Sequence, residues 1–122
     1  MSFTLPYPPS ANRYLRHTGR GTYRTSEANT YRKQAQLAAM MAGIRARHFG
    51  PVAIHATLHP RLTKAGKASE TRIDLDNCLK VALDALEGIA FENDKQVRRI
   101  SLKVGPPIEG GGLTLEVEAC RD

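Results

Sequence analysis

Several features are missing from this chain, and each absence narrows its class. No apolar run approaches the ~18 residues that a membrane-spanning helix needs. The N-terminus, MSFTLPYPPS, has no basic segment followed by an apolar one, so no secretory leader is expected. Only two cysteines occur, Cys78 and Cys120, far apart and outside any C-x-x-C pair. They read as two reduced thiols of a cytoplasmic protein. No internal repeat and no long low-complexity tract is present. Acidic residues are outnumbered: 12 Asp plus Glu face 18 Lys plus Arg, giving a net charge of +6. That balance favours a polyanionic partner, through phosphate neutralisation and counterion release. With 122 residues, 41% hydrophobic and 25% charged, the composition is that of a soluble globular protein. One domain over residues 1–122 is expected, with a single modest core.

The apolar pattern predicts the order β-α-β-α-β-β. The segment 2-SFTLPY-7 alternates as a strand, with Pro6 marking an edge or an end. The stretch from Pro8 to Ser26 reads as loop. A helix is predicted from an N-cap at Ser26 to about Arg47, with Tyr31, Ala35, Leu37, Ala38, Met41 and Ile44 as its apolar stripe. In 52-VAIHATLH-59 apolar and polar residues alternate cleanly. A polar, basic loop follows at 60–72, and then a helix over about 75–89. On that helix Leu79, Ala82, Leu83, Leu86 and Ile89 share one side, with Asp76, Lys80, Asp84 and Glu87 opposite. The strands 97-VRRISLKV-104 and 113-LTLEVEA-119 flank 105-GPPIEGGG-112, which suggests an antiparallel hairpin. Each of the last three strands has one apolar face. The expectation is an α+β fold: a mixed sheet of about four strands, both helices packed on one face, the other face wet or used for binding.

The stretch 73-IDLDNCLKVALDAL-86 poses a question for so basic a chain: why gather carboxylates at the mouth of a helix? Asp76 alone reads as an N-cap, favoured by the helix dipole. That leaves Asp74 unexplained, and also Lys80, one turn on along the same face. Two carboxylates at this spacing can share a hard divalent cation such as Mg2+. Asp94, in 91-FENDKQV-97, reads on its own as a turn carboxylate. It joins the other two only if the following strand runs back toward them.

The segment 12-NRYLRHTGRGTYRTS-26 holds Arg13, Arg16, Arg20 and Arg24 interleaved with Tyr14, His17 and Tyr23, and no acid. Arginines track phosphates, and aromatic rings stack on bases. Asn12, Arg13, Tyr14, Arg16, His17, Arg20 and Arg24 are therefore the expected DNA contacts, with Arg72 beside the aspartates. Arg98, Arg99 and Lys103 extend the positive surface. His55 and His59 stand ~13 Å apart on a strand, too far to share a metal, and are expected on the exposed sheet face. Within a basic surface, a cation on the acidic cluster reverses the local sign and draws in one phosphate.

These residues carry a resemblance to a known family. The landmarks 5-LPYPPSANRYLRH-17, 31-YRKQ-34, 74-DLDNCLKVALDAL-86 and 93-NDKQV-97 resemble RusA-type Holliday junction resolvases, over nearly the whole chain. The resemblance implies that Asp74, Asp76 and Asp94 bind the metal, that Lys80 is an essential lysine, and that Asn77 supports the site or touches DNA. It also implies one or two Mg2+ per subunit with no other cofactor, a homodimer acting on four-way junctions in the bacterial cytoplasm, and no membrane partner. Asn93-Asp94 stands where the family often has two consecutive aspartates. The expected activity is paired phosphodiester cleavage during DNA recombination and repair. Two other readings remain open on the sequence: a non-catalytic basic DNA-binding module, and a Mg2+ nuclease for other branched DNA.

Overall fold

The structure is a computed structural model. It describes residues 2–9, 15–43, 48–67 and 75–120, and only the backbone of residues 15–18, 22–24 and 75–77. In chain order the elements are β1 (Ser2–Leu5), β2 (Leu15–Thr18), β3 (Gly21–Arg24), α1 (Ser26–Met41), β4 (Val52–His59), α2 (Leu75–Leu86), a 3-10 turn (Asp94–Gln96), β5 (Val97–Val104) and β6 (Gly112–Ala119). Among the described residues the main sheet has four strands in the order β1-β6-β4-β5, and β2 and β3 form a separate two-stranded ribbon. This is the expected α+β fold with a mixed sheet.

β4 sits at the centre because its alternation serves a strand with neighbours on both sides. Val52, Ile54, Ala56 and Leu58 are buried, and they join Leu113 and Leu115 of β6 and the inner sides of α1 and α2 in one core. The opposite sheet face is polar. There the His55 ring contacts Glu118 Oε1 at 3.0 Å, and Thr4 and Thr114 share a hydroxyl contact at 3.1 Å. His59 lies between Thr114 Oγ1 at 2.9 Å and the Pro106 carbonyl oxygen at 2.8 Å. Both histidines are thus engaged on the outer face, as expected.

The hairpin expected between the last two strands does not form. β6 pairs antiparallel with β4, and β5 pairs parallel with β4 on the other side. The connection 105–111 therefore crosses the end of β4. The register slips between Val52↔Val97 and Ala53↔Arg99, so Arg98 is an extra residue on the edge strand. This irregularity leaves both Arg98 and Arg99 exposed, although they are consecutive. As an edge strand, β5 also leaves Ile100 and Val104 partly in solvent.

A second difference lies in the stretch read as loop. Its backbone folds as the β2/β3 hairpin, with Thr18 paired to Gly21 and only Gly19 and Arg20 at the tip. Strands of four residues without apolar alternation leave no periodic signal.

α1 is capped by Thr25, one residue before the expected Ser26; its hydroxyl accepts from the Ala28 amide at 3.2 Å. The helix ends at Met41, and Gly43 follows at φ +85, a left-handed turn that favours glycine. Residues 44–47, including the expected Ile44, lie outside the described residues. The buried side of α1 is Ala28, Tyr31, Ala35 and Ala39. Leu37, two residues or roughly 200° from Ala35, therefore points to solvent. Met41 does the same.

α2 buries Cys78, Val81, Ala82, Ala85 and Leu86, while the expected inward residues Leu79 and Leu83 are only half-buried flanks. Arg32 of α1 pairs with Asp84 of α2, Nη1 to Oδ2 at 3.2 Å, and also donates to the Asp84 carbonyl oxygen. That pair turns the outer side of α2 toward α1 in the last turn of α2, so Asp84 is half-buried rather than solvated.

Candidate functional site

Because β4 and β5 run the same way, α2 must return the chain along the sheet. Its start lies at the His59 end of β4. There the Cys78 thiol is close enough to Tyr7 to act on its hydroxyl electrostatically, and Tyr7 packs against Arg61, whose guanidinium lies 4.9 Å from the ring centre. Its finish lies at the Val52 end, where Phe91 bridges to both Glu87 and His48. α1 runs in the same sense: Tyr31 Oη donates to the Pro6 carbonyl oxygen at 2.8 Å near its start, and its last turn leads toward His48.

Asp76 and Asn77 fall in the first turn of α2, since the helix begins at Leu75. Asp76 is therefore inside the helix rather than its cap. Asp74, like Arg72, lies outside the described residues. Acidic residues belong at this end, where the unpaired amides of the first turn carry partial positive charge. Lys80 is exposed and follows Asp76 by four residues, so the two stand on one side of the helix a turn apart. Buried Cys78 holds the other side against the core.

Asp94 is exposed and opens the 3-10 turn before β5. Two neighbours fix that turn. Asn93 Oδ1 accepts from the Lys95 amide at 2.9 Å. Gln96 Oε1 accepts from the amides of Glu92 at 2.9 Å and Asn93 at 2.8 Å. This is a capping box, legible in sequence as Asn93 followed three residues later by Gln96. The other half of the Gln96 amide donates to the carbonyl oxygens of His48 and Gly50, tying the turn to the entry of β4. Sequence reasoning missed Gln96.

The structure thus places Asp94 at the Val52 end and the first turn of α2 at the His59 end. Eight residues of β4 span roughly 23 Å and the twelve of α2 roughly 18 Å. Asp76 and Lys80 fall a turn apart along α2, and Asp94 lies beyond the other end of that helix. Among the described residues, no three of His, Cys, Asp and Glu gather as a metal site.

Tyr7 and Arg61 are further residues beside the start of α2 that the sequence did not flag. Burial pushes the Tyr7 hydroxyl above its ordinary value; the Cys78 thiol adds to this and Arg61 opposes it. Gly111, at φ +70, makes room for them: a Cβ there would meet Tyr7 Cδ2 at 2.7 Å and Arg61 Cγ at 3.0 Å. Of the arginine-rich segment, Asn12, Arg13 and Tyr14 lie outside the described residues. Arg16, His17 and Arg24 lie on β2 and β3, described in backbone only, and Arg20 is exposed at the hairpin tip. No helix among the described residues is long and apolar enough to cross a membrane.

Residues 6–118 match the family described as Endodeoxyribonuclease RusA. The chain belongs to the RusA endodeoxyribonuclease family. Among its RusA relatives, a protein of Escherichia coli K12 named crossover junction endodeoxyribonuclease RusA is 34% identical over 117 residues, covering 95% of this chain and 92% of its own length. A protein of the same name from Escherichia coli O139:H28 is 33% identical, with 99% and 96% covered. One from Enterobacteria phage HK97 is 32% identical, with 94% and 91% covered. RusA similarity therefore runs through every element of the fold, the α2 start and the Asp94 turn included.

Proposed function

We propose that this chain is a structure-selective endodeoxyribonuclease that resolves four-way DNA junctions by paired phosphodiester cuts. It acts as one domain over residues 1–122, as a homodimer in the bacterial cytoplasm, during recombination and repair. The observation that carries this reading is the family match over residues 6–118, joined to relatives named for crossover junctions. The start of α2 supports it locally, with Asp76 and the exposed Lys80 one turn apart on a helix end that attracts anions.

Asp74 and Asp76 are the carboxylates that would hold a divalent cation beside Lys80, with Mg2+ the hard ion suited to oxygen ligands. When bound, Mg2+ supplies positive charge against the phosphate and acidifies water. Lys80, by its place one turn along, sets an ammonium against the charge that develops on the phosphate oxygens. Asn77 supports the site from the same turn. Arg16, His17, Arg20 and Arg24 on the ribbon, with Asn12, Arg13, Tyr14 and Arg72, grip the phosphates of the junction arms. A two-fold pair suits a substrate with two equivalent strands.

The test is cleavage of a synthetic four-way junction with and without Mg2+, beside a flap and a linear duplex. Mg2+-dependent nicking of the junction in preference to both controls is the expected result. Binding without cutting would replace this reading with a DNA-binding module, and preference for the flap would replace the substrate.

A further inference from the structure

Arg61 is an exposed cation held from two sides. Its backbone bridges to Ile108: the Leu62 amide donates to the Ile108 carbonyl oxygen at 2.9 Å, and the Ile108 amide donates to the Pro60 carbonyl oxygen at 3.0 Å. Its guanidinium lies 4.9 Å from the centre of the Tyr7 ring. Tyr7 is itself fixed, since Tyr31 Oη donates to the carbonyl oxygen of Pro6 beside it. Gly111 leaves room for both, because a Cβ there would press on the two side chains. Nothing inside the protein uses the polar edge of Arg61. Among the described residues no carboxylate pairs with it and no carbonyl oxygen accepts from it. An arginine laid on a tyrosine can serve packing alone. That role accounts for the ring contact and leaves the N–H donors without a use.

The surroundings are of one sign. Residues 60–67 contain no acid. The segment is a bonded turn: the Thr63 amide donates to the Lys67 carbonyl oxygen at 2.7 Å, and Thr63 Oγ1 accepts from the Lys67 amide at 3.2 Å. Lys64 and Lys67 are exposed on it. Through Tyr7 the group reaches the opening of α2, where the Cys78 thiol acts on the Tyr7 hydroxyl. Arg61 therefore stands beside the helix start that carries Asp76.

We infer that Arg61 is a DNA-phosphate contact, a guanidinium oriented in advance by Tyr7 that takes a backbone phosphate flanking the one cut. The inference rests on the nuclease reading and names a residue that sets where the strand lies against that site. A guanidinium presents its donors as a flat fork matched to two phosphate oxygens, and an ammonium does not. The ring and the backbone bridge hold the side chain before DNA arrives, so less ordering entropy is lost on binding. Arg61 acts on the strand as bound rather than on the bond broken. Its loss should therefore raise KM more than it lowers kcat.

The test is binding of a synthetic four-way junction, without divalent cation, over a series of salt concentrations. Arg61→Gln should weaken binding about tenfold, the low end for a charge-assisted hydrogen bond. It should also lower the slope of log K against log salt by about 0.9 for each Arg61 on the DNA. Arg61→Lys should keep the slope and lose part of the affinity. Tyr7→Leu should keep the slope as well, with a smaller loss, because the charge stays and only its orientation is gone. A merely structural role would move the urea midpoint and leave the salt slope alone. An unchanged slope in Arg61→Gln overturns the inference. So does Arg61→Lys binding as tightly as the unsubstituted protein, and that variant decides the matter if Arg61→Gln does not fold. Failure of the nuclease reading looks different. An unsubstituted protein that binds the junction and does not cut it in Mg2+ ends that reading, while the salt slope still reports on Arg61. One that binds no DNA ends both.

Discussion

The side-chain amide of Gln96 donates to the carbonyl oxygen of Gly50 at 2.8 Å and so fastens the turn before β5 to the entry of β4. The same group serves the His48 carbonyl oxygen at 2.9 Å, while its own oxygen takes the amides of Glu92 and Asn93. Gln96→Leu removes four hydrogen bonds and leaves backbone groups to find water. At ~0.5–1.5 kcal/mol net for each bond, partly recovered by solvent, about 1–3 kcal/mol of stability should be lost. Urea denaturation should show a lower midpoint with an unchanged slope. Since Asp94 sits two residues away, junction cleavage should fall further than binding.

Gly111 allows Tyr7 and Arg61 to pack beside the start of α2. Gly111→Ala places a methyl group within 2.7 Å of the Tyr7 ring at a φ of +70. Backbone strain of this kind costs about 1–3 kcal/mol, and the clash adds to it. Thermal denaturation should record a drop of several degrees. Gly110→Ala, which meets no atom within 4 Å, should show the smaller effect of backbone strain alone.

Tyr7 also yields a pH expectation. Burial, followed by the Cys78 thiol, raises its hydroxyl above the ordinary value of 10.0, against the pull of Arg61. The folded state therefore keeps this proton more tightly than the unfolded one. Its contribution to stability is complete below pH 10 and is lost as pH rises from there through the folded value. Ultraviolet difference titration should show one tyrosine ionising later than the rest, and Tyr7→Phe should remove that late step. An unchanged titration in the variant would assign the step elsewhere.

Asp76→Asn should separate binding from chemistry. Junction binding in a gel-shift assay should hold or tighten, because one negative charge facing the phosphates is gone, while Mg2+-dependent nicking disappears. Lys80→Ala should keep Mn2+ binding and lose turnover by 100-fold or more, on the order of 3 kcal/mol of transition-state stabilisation. Nicking at the normal rate by either protein would remove that residue from the chemistry.

How far the sequence was legible depends on what each pattern encodes. β4 was readable because each of its residues faces either a dry core or water, and alternation records that choice directly. That Asp76 and Lys80 share one helix was readable from the apolar period, and four residues make about one turn of it. The order of strands was not. Gly105 to Gly112 reads as a tight turn, yet β4 inserts between the strands it joins, and chain proximity says nothing of sheet proximity. The β2/β3 ribbon escaped because its short strands carry no apolar period. Leu37 and Met41 fit a loose apolar stripe by spacing, whereas Tyr31 and the alanines at 28, 35 and 39 form the close-packed side of α1. The place of Asp94 hinged on whether β5 starts or ends near the mouth of α2, a matter of strand direction that local pattern does not hold.

The crossing of 105–111 over the end of β4 has a consequence for how the sheet comes apart. β4 is bonded along both edges, to β5 and to β6, and that crossing joins the same two neighbours. The central strand cannot leave without breaking both ladders, so opening should begin at β1, which is held along one edge over four residues.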